Sequence, residues 1–158
     1  MQAHRILFVC MGNICRSPTA EGVFRKLAIE RGVENLFEID SAGTGGWHIG
    51  NPPDQRAQQA ALQRGIDLST LRARQVSPRD IEYFDTLIAM DRDNLDRLRI
   101  LASKSHQHKI KLLLEYCETP GGDEVPDPYY GGEHGFDLVL DLIEDACDSL
   151  IESLGAQR

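Results

Sequence analysis

In the stretch VCMGNICRSP, Val9 to Pro18, Cys10 and Arg16 stand six residues apart, and Ser17 follows the arginine directly. A thiol, a guanidinium and a hydroxyl in that order are the parts of an oxyanion cradle built around a nucleophile. Arg16 offers a planar fork of donors suited to two oxygens of a phosphoryl group. The residues between, Met11, Gly12, Asn13, Ile14 and Cys15, contribute backbone N–H groups. Gly12 can adopt the positive φ that an anion-binding nest needs, and Asn13 tolerates it better than most residues. A cysteine at the base of such a cradle sits among dipoles that favour its anion, so Cys10 is expected to titrate below the free-thiol value of about 8.5 and to rest as a thiolate. With its hydroxyl turned toward the sulfur, Ser17 stabilises that thiolate at rest and as a departing group. The implied chemistry is attack on phosphorus through a phosphocysteine intermediate. Arg16 and the N–H groups supply the positive potential that magnesium supplies elsewhere, so neither a metal nor another cofactor is expected.

Thiolate attack on an aryl phosphate also needs a proton for the leaving group, because an aryl oxide of pKa about 10 departs badly unprotonated. The candidate acid is Asp127 in PDPYYGG, set between two prolines that stiffen the chain and beside two tyrosines. Partial burial there raises a carboxyl enough to hold a proton. Tyr129 and Tyr130, together with Trp47, the single tryptophan, form the expected aromatic slot for a flat ring.

These residues need a frame that brings positions 10, 16 and 127 together. RILFVC, ending at Cys10, is an apolar run of strand formers, as in parallel sheets buried on both faces. MGNICRS is a loop, and a helix is expected to begin at Pro18, a residue suited to the first helical position, and to close at Gly32. Further strands are expected at Leu36–Gly43, Asp85–Met90 and Lys109–Tyr116. Helices are expected near Asp54–Gly65, after Ser77, after Asp91 and over the final apolar periodicity from Phe136. Alternating strands and helices imply one α/β domain over residues 1–158: a four-stranded parallel sheet with helices on both faces. Ligands of such sheets sit outside the carboxyl ends of the strands, where CMGNICRS falls.

Composition narrows the classes. A chain of 158 residues with 41% hydrophobic content suits one core. The formal net charge of −8 argues against bulk attraction to nucleic acid or an anionic membrane, so an anionic ligand must be held by local donors. No apolar run approaches the roughly 18 residues of a membrane span, and the start lacks the features of a secretion signal, which points to the cytoplasm. The cysteines at 10, 15, 117 and 147 fit neither a disulfide framework nor a zinc site. Cys15 has two readings: packing, or capture of an oxidised Cys10 as a disulfide. Cys117 and Cys147 are expected in the core, in the fourth strand and the last helix.

VCMGNICRSPTAE, followed in order by DSAGT, ARQ, MDRDN and DPYY, resembles the low-molecular-weight protein tyrosine phosphatase family over nearly the whole chain. The resemblance implies a four-stranded parallel sheet, Cys10 as nucleophile, Arg16 as phosphate binder and Asp127 as general acid. It further implies that Asn13, Ser17 and Ser41 hydrogen-bond to hold the loop, that the substrates are phosphotyrosine-containing proteins, and that inorganic phosphate and other oxyanions inhibit. Many members carry a histidine three residues before the arginine of ARQ as a partner of the loop asparagine; here that place is Leu71. Two alternatives of the same fold stand beside this reading. An arsenate reductase would use a relay of further cysteines, and a phosphoarginine phosphatase tends to have threonine where this chain has Ile14. A phosphate-sensing module that is no enzyme would not need Asp127.

Overall fold

The computed structural model describes residues 3–117, 124–128 and 135–155. Four strands, β1 (His4–Cys10), β2 (Phe37–Gly43), β3 (Thr86–Ala89) and β4 (Ile110–Leu112), form a wholly parallel sheet in the order β2-β1-β3-β4. Among the described residues, five α-helices connect and cover it: α1 (Arg16–Glu30), α2 (Gln55–Leu62), α3 (Pro78–Tyr83), α4 (Arg92–Leu101) and α5 (Gly135–Gly155). This is the expected α/β architecture.

The alternation of side chains along β1 divides the core in two. Ile6, Phe8 and Cys10 face a cluster made with Phe24 and Ala28 of α1 and Val139, Ile143 and Leu150 of α5. Leu7 and Val9 face the opposite cluster, with Ile81 of α3 and Leu95 and Leu98 of α4. Both faces are therefore buried, which is why β1 reads as an unbroken apolar run. Phe24 anchors the first cluster: its ring lies 5.8 Å from that of Phe8 and 5.0 Å, edge-on, from that of Phe37.

The chain leaves β1 toward β2 on one side and later returns to β3 on the other, so the carboxyl end of β1 is the point where the strand order reverses. Crossover connections diverge there and leave a crevice. Cys10 is the last residue of β1 and therefore stands at that crevice.

Three local readings are corrected. The fourth strand is shorter than expected: after Leu112 the chain tightens into a 3-10 turn, Leu113–Tyr116. Consecutive leucines explain it, because Leu113 and Leu114 are both buried in the same cluster, whereas a strand would send them to opposite faces. Cys117 accordingly follows this turn rather than lying in the strand, half-buried, with its thiol 2.9 Å from Asp145 Oδ2. Finally, α1 begins at Arg16, so Pro18 is its third residue rather than its first. The missing N–H is still harmless, since the N–H groups of a first turn have no intrahelical partner.

Among the described residues, no helix is long and apolar enough to cross a membrane. Because Phe24 is fully buried between two other rings, Phe24→Ala is expected to cost about 3–5 kcal/mol. A fall in the urea midpoint with unchanged slope checks this.

Candidate active site

Between β1 and α1 the chain makes a tight loop over Met11–Cys15, and surrounding segments donate to four carbonyl groups along it, from Cys10 to Cys15. Cys10 O accepts from Thr44 N (2.8 Å), Met11 O from Gly45 N (2.9 Å) and Ile14 O from Asp54 N (2.8 Å), while Cys15 O accepts from Thr19 Oγ1 (2.6 Å). No peptide here is cis. In a trans peptide the N–H points opposite to the C=O, so the N–H groups of Met11, Gly12, Cys15 and Arg16 are directed away from those donors. The one residue with positive φ in the loop is Asn13, at 57°. Gly12, expected to take that conformation, does not. Its lack of a side chain serves a different end, because a Cβ there would stand 3.0 Å from the His48 ring.

A cavity of about 400 Å³ opens over this loop, lined by Cys10, Met11, Gly12, Ile14, Cys15, Arg16, Trp47, His48 and Asp127. Cys10 Sγ accepts from Asn13 N (3.3 Å) and lies 3.0 Å from Ser17 Oγ. Asn13 spends its whole side chain on the frame: Nδ2 donates to Ser17 Oγ (2.8 Å) and Ser41 Oγ (3.0 Å), and Oδ1 accepts from Arg74 N (3.0 Å). Leu71 brings no polar atom and packs against the apolar core. The Arg74 N–H satisfies the asparagine oxygen.

Arg16 is 3% exposed. Its Nη1 donates to Asp91 Oδ2 (2.7 Å) and to Val125 O (3.0 Å), and its Nη2 lies 3.7 Å from Asp127 Oδ2. Burial by itself would lower its pKa, but Cys10, Asp91 and Asp127 outweigh that and raise it, so the guanidinium is a fixed cation. Asp91 has two tasks. Its Oδ1 caps α4 by accepting from Asn94 N (2.8 Å), and its Oδ2 holds Arg16.

Asp127, 28% exposed on its side chain, is positioned through the residues before it. Glu124 Oε2 accepts from Arg92 N (2.8 Å), and Val125 N donates to Met90 O (2.8 Å). The 124–128 segment is thereby tied to the carboxyl end of β3 and to Arg16 together. Trp47 is 69% exposed at the rim, its ring folded over Gly45, where a Cβ could not be accommodated. Tyr129 and Tyr130 lie outside the described residues. The Cys15 thiol is buried and held well above its usual range, first by burial and then by the charges of Asp54, Cys10 and Asp127. Its environment keeps it a thiol at neutral pH.

The structure therefore brings Cys10, Arg16, Ser17, Asn13, Ser41, Trp47 and Asp127 together. Sequence reading missed Asp91 as the partner of Arg16, the Val125 carbonyl, and His48 in the lining. Asp91 was legible in principle, as an acidic helix cap beyond a strand that neighbours β1. The assembly can bind a tetrahedral oxyanion over a sulfur nucleophile, with a carboxyl group at the cavity edge.

A family model described as low molecular weight phosphotyrosine protein phosphatase matches residues 5–158. Over 153 residues the chain is 46% identical to the low molecular weight protein-tyrosine-phosphatase YfkJ of Bacillus subtilis, covering 97% of each. Among solved structures, the protein tyrosine phosphatase of Entamoeba histolytica with Hepes in its active site superposes with a TM-score of 0.95 at 40% identity, covering 98% of this chain and 99% of that one. The Drosophila arginine phosphatase superposes with a TM-score of 0.87 at 33% identity, covering 94% and 96%.

Gly43 allows the loop its depth: a Cβ there would stand 2.8 Å from Met11 O and 3.1 Å from Asn13 N. Gly43→Ala is expected to cost about 1–3 kcal/mol and to weaken phosphate binding, read as a smaller thermal shift on adding inorganic phosphate. A shift equal to that of the parent would contradict this account of the loop.

Proposed function

The chain belongs to the low molecular weight phosphotyrosine protein phosphatase family, and we propose that it hydrolyses phosphotyrosine in proteins through a phosphoenzyme on Cys10. The observation that carries this reading is the Cys10 sulfur at the loop, with the Asn13 N–H and Ser17 hydroxyl on it and Arg16 and Asp127 lining the same cavity. The phosphoryl oxygens lie in the N–H cradle and against the Arg16 fork. The Cys10 thiolate attacks phosphorus as the bond to the tyrosyl oxygen breaks, and Asp127 gives that oxygen its proton. Water then attacks the phosphocysteine, the Asp127 carboxylate takes the water proton, and the P–S bond breaks to release inorganic phosphate and the thiolate. Ser17 donates to the sulfur when it departs.

Trp47 supplies an apolar wall at the rim for the aromatic ring. Inorganic phosphate and similar oxyanions compete for the same cradle. The spacing of the four cysteines, which fits no disulfide framework, suits a reducing compartment, and the cytoplasm is the proposed location. A phosphoarginine substrate is disfavoured by the branched bulk of Ile14 in the cavity lining. An arsenate reductase relay is disfavoured by Cys147, which lies fully buried in α5 with its thiol pushed up by that burial.

Cys10→Ser is expected to abolish turnover of an aryl phosphate in the presence of EDTA; retained activity would sink the mechanism. Asp127→Ala is expected to lose about 10²–10⁴ in rate, with the smallest loss for leaving groups of low pKa. An equal loss across leaving groups would remove the acid assignment. Rates on phosphotyrosine and phosphoarginine peptides, beside an arsenate reduction assay, separate the three activities.

A further inference from the structure

Glu21 lies on α1 one turn after Ser17 and one turn before Arg25, with its side chain 5% exposed. Its Oε1 accepts from Ser41 Oγ (2.7 Å) and its Oε2 from Arg25 Nη2 (2.8 Å). Ser41 Oγ accepts in turn from Asn13 Nδ2, whose other N–H goes to Ser17 Oγ, 3.0 Å from the Cys10 sulfur. The direction of this chain follows from which groups can only donate or only accept. The Arg74 N–H can only donate, so the Asn13 atom facing it is Oδ1, and both Nδ2 protons point at the two serines. An ionised carboxylate can only accept, so the Ser41 proton goes to Glu21 and the Ser41 oxygen stays open to Asn13. Ser17, already accepting from Asn13, has its own proton left for the sulfur at 3.0 Å or for Ala42 O at 3.3 Å.

We propose that ionised Glu21 is a positioning residue for the nucleophile: it polarises the chain Glu21–Ser41–Asn13–Ser17 so that the last hydroxyl donates to Cys10 Sγ. This inference rests on the reading of Cys10 as the nucleophile. Were Glu21 protonated, it could donate to Ser41 and turn that hydroxyl proton against the Asn13 N–H, reversing the polarity.

The charged groups facing Glu21 are Arg25 on its own helix and Asp40 on β2, the latter held 3.0 Å from Arg74 Nη2. Burial pushes the Glu21 carboxyl up and Asp40 adds to this, against the hydrogen bonds from Ser41 and Arg25. The folded protein then binds that proton more tightly than the unfolded chain does. This contribution to stability is fully present below the ordinary glutamate value and is lost as pH rises from there through the raised value of the folded protein. Replacing Glu21 by an apolar residue removes the cost of burying its charge, leaves Arg25 half exposed to solvent and takes the acceptor from the Ser41 hydroxyl.

The test compares the parent, Glu21→Leu and Glu21→Gln by the pH dependence of Cys10 alkylation with iodoacetate, and by kcat and KM on an aryl phosphate. In Glu21→Leu the alkylation midpoint is expected to rise by about one pH unit and kcat to fall about tenfold, the effect of losing one hydrogen bond to a charged group, with KM nearly unchanged. Glu21→Gln, whose Oε1 still accepts from Ser41, is expected to keep the parental midpoint. A parental midpoint in Glu21→Leu overturns the proposal. Should that variant not fold, Ser41→Ala cuts the same link: a raised midpoint supports the proposal and an unchanged one overturns it. Alkylation is read without substrate, so absence of phosphatase turnover in the parent would count against the proposed function and not against the role of Glu21.

Discussion

A peptide plane cannot turn its N–H inward without turning a C=O outward, and the site depends on where the carbonyls between Cys10 and Arg16 find donors. They find them on three sides. The segment after β2 takes Cys10 O and Met11 O, the start of α2 takes Ile14 O, and α1 itself takes Cys15 O. The donors come from three separate segments of the chain, which explains why so small a cradle needs a whole α/β layer around it. It also explains Gly43, whose missing Cβ lets the β2 end approach the loop closely enough for Thr44 and Gly45 to donate.

The second constraint is charge. The chain is acidic overall, yet the substrate proposed for its cavity is an anion, and Arg16, the cation proposed to hold it, is almost completely buried. A guanidinium in that position is tolerable when its remaining donors are satisfied, and Asp91 and the Val125 carbonyl satisfy two of them. The same contacts fix the direction of the fork and couple it to the segment that carries Asp127. The placement of the proposed acid and the orientation of the phosphate binder are thus one structural event, set at the carboxyl end of β3.

Much of this was legible in the sequence, and the limits have physical causes. The strand, loop and helix around Cys10 could be read because apolar periodicity and a Gly/Asn-marked loop are local signals. The fourth strand was overextended because a run of three leucines does not reveal whether it alternates between faces or turns in a 3-10 coil to bury adjacent side chains on one. Gly12 and Asn13 were both suited to the left-handed conformation by intrinsic preference, and Asn13, held by three side-chain hydrogen bonds, is the one that takes it. Asp91, Val125 and Glu21 went unassigned because their roles arise from contacts across 75, 109 and 20 residues respectively. Local cues existed for Asp91, as an acidic helix cap, and for Glu21, in the Ser17–Glu21–Arg25 spacing along one helical face.

The central claim is that covalent chemistry passes through the Cys10 sulfur. Mass spectrometry of protein quenched in acid during turnover of an aryl phosphate tests it most directly. The account predicts a phosphoryl group on the peptide containing Cys10, gained with substrate and lost as turnover ends. Full turnover with no phosphoenzyme, or with the phosphoryl group on another residue, would contradict it.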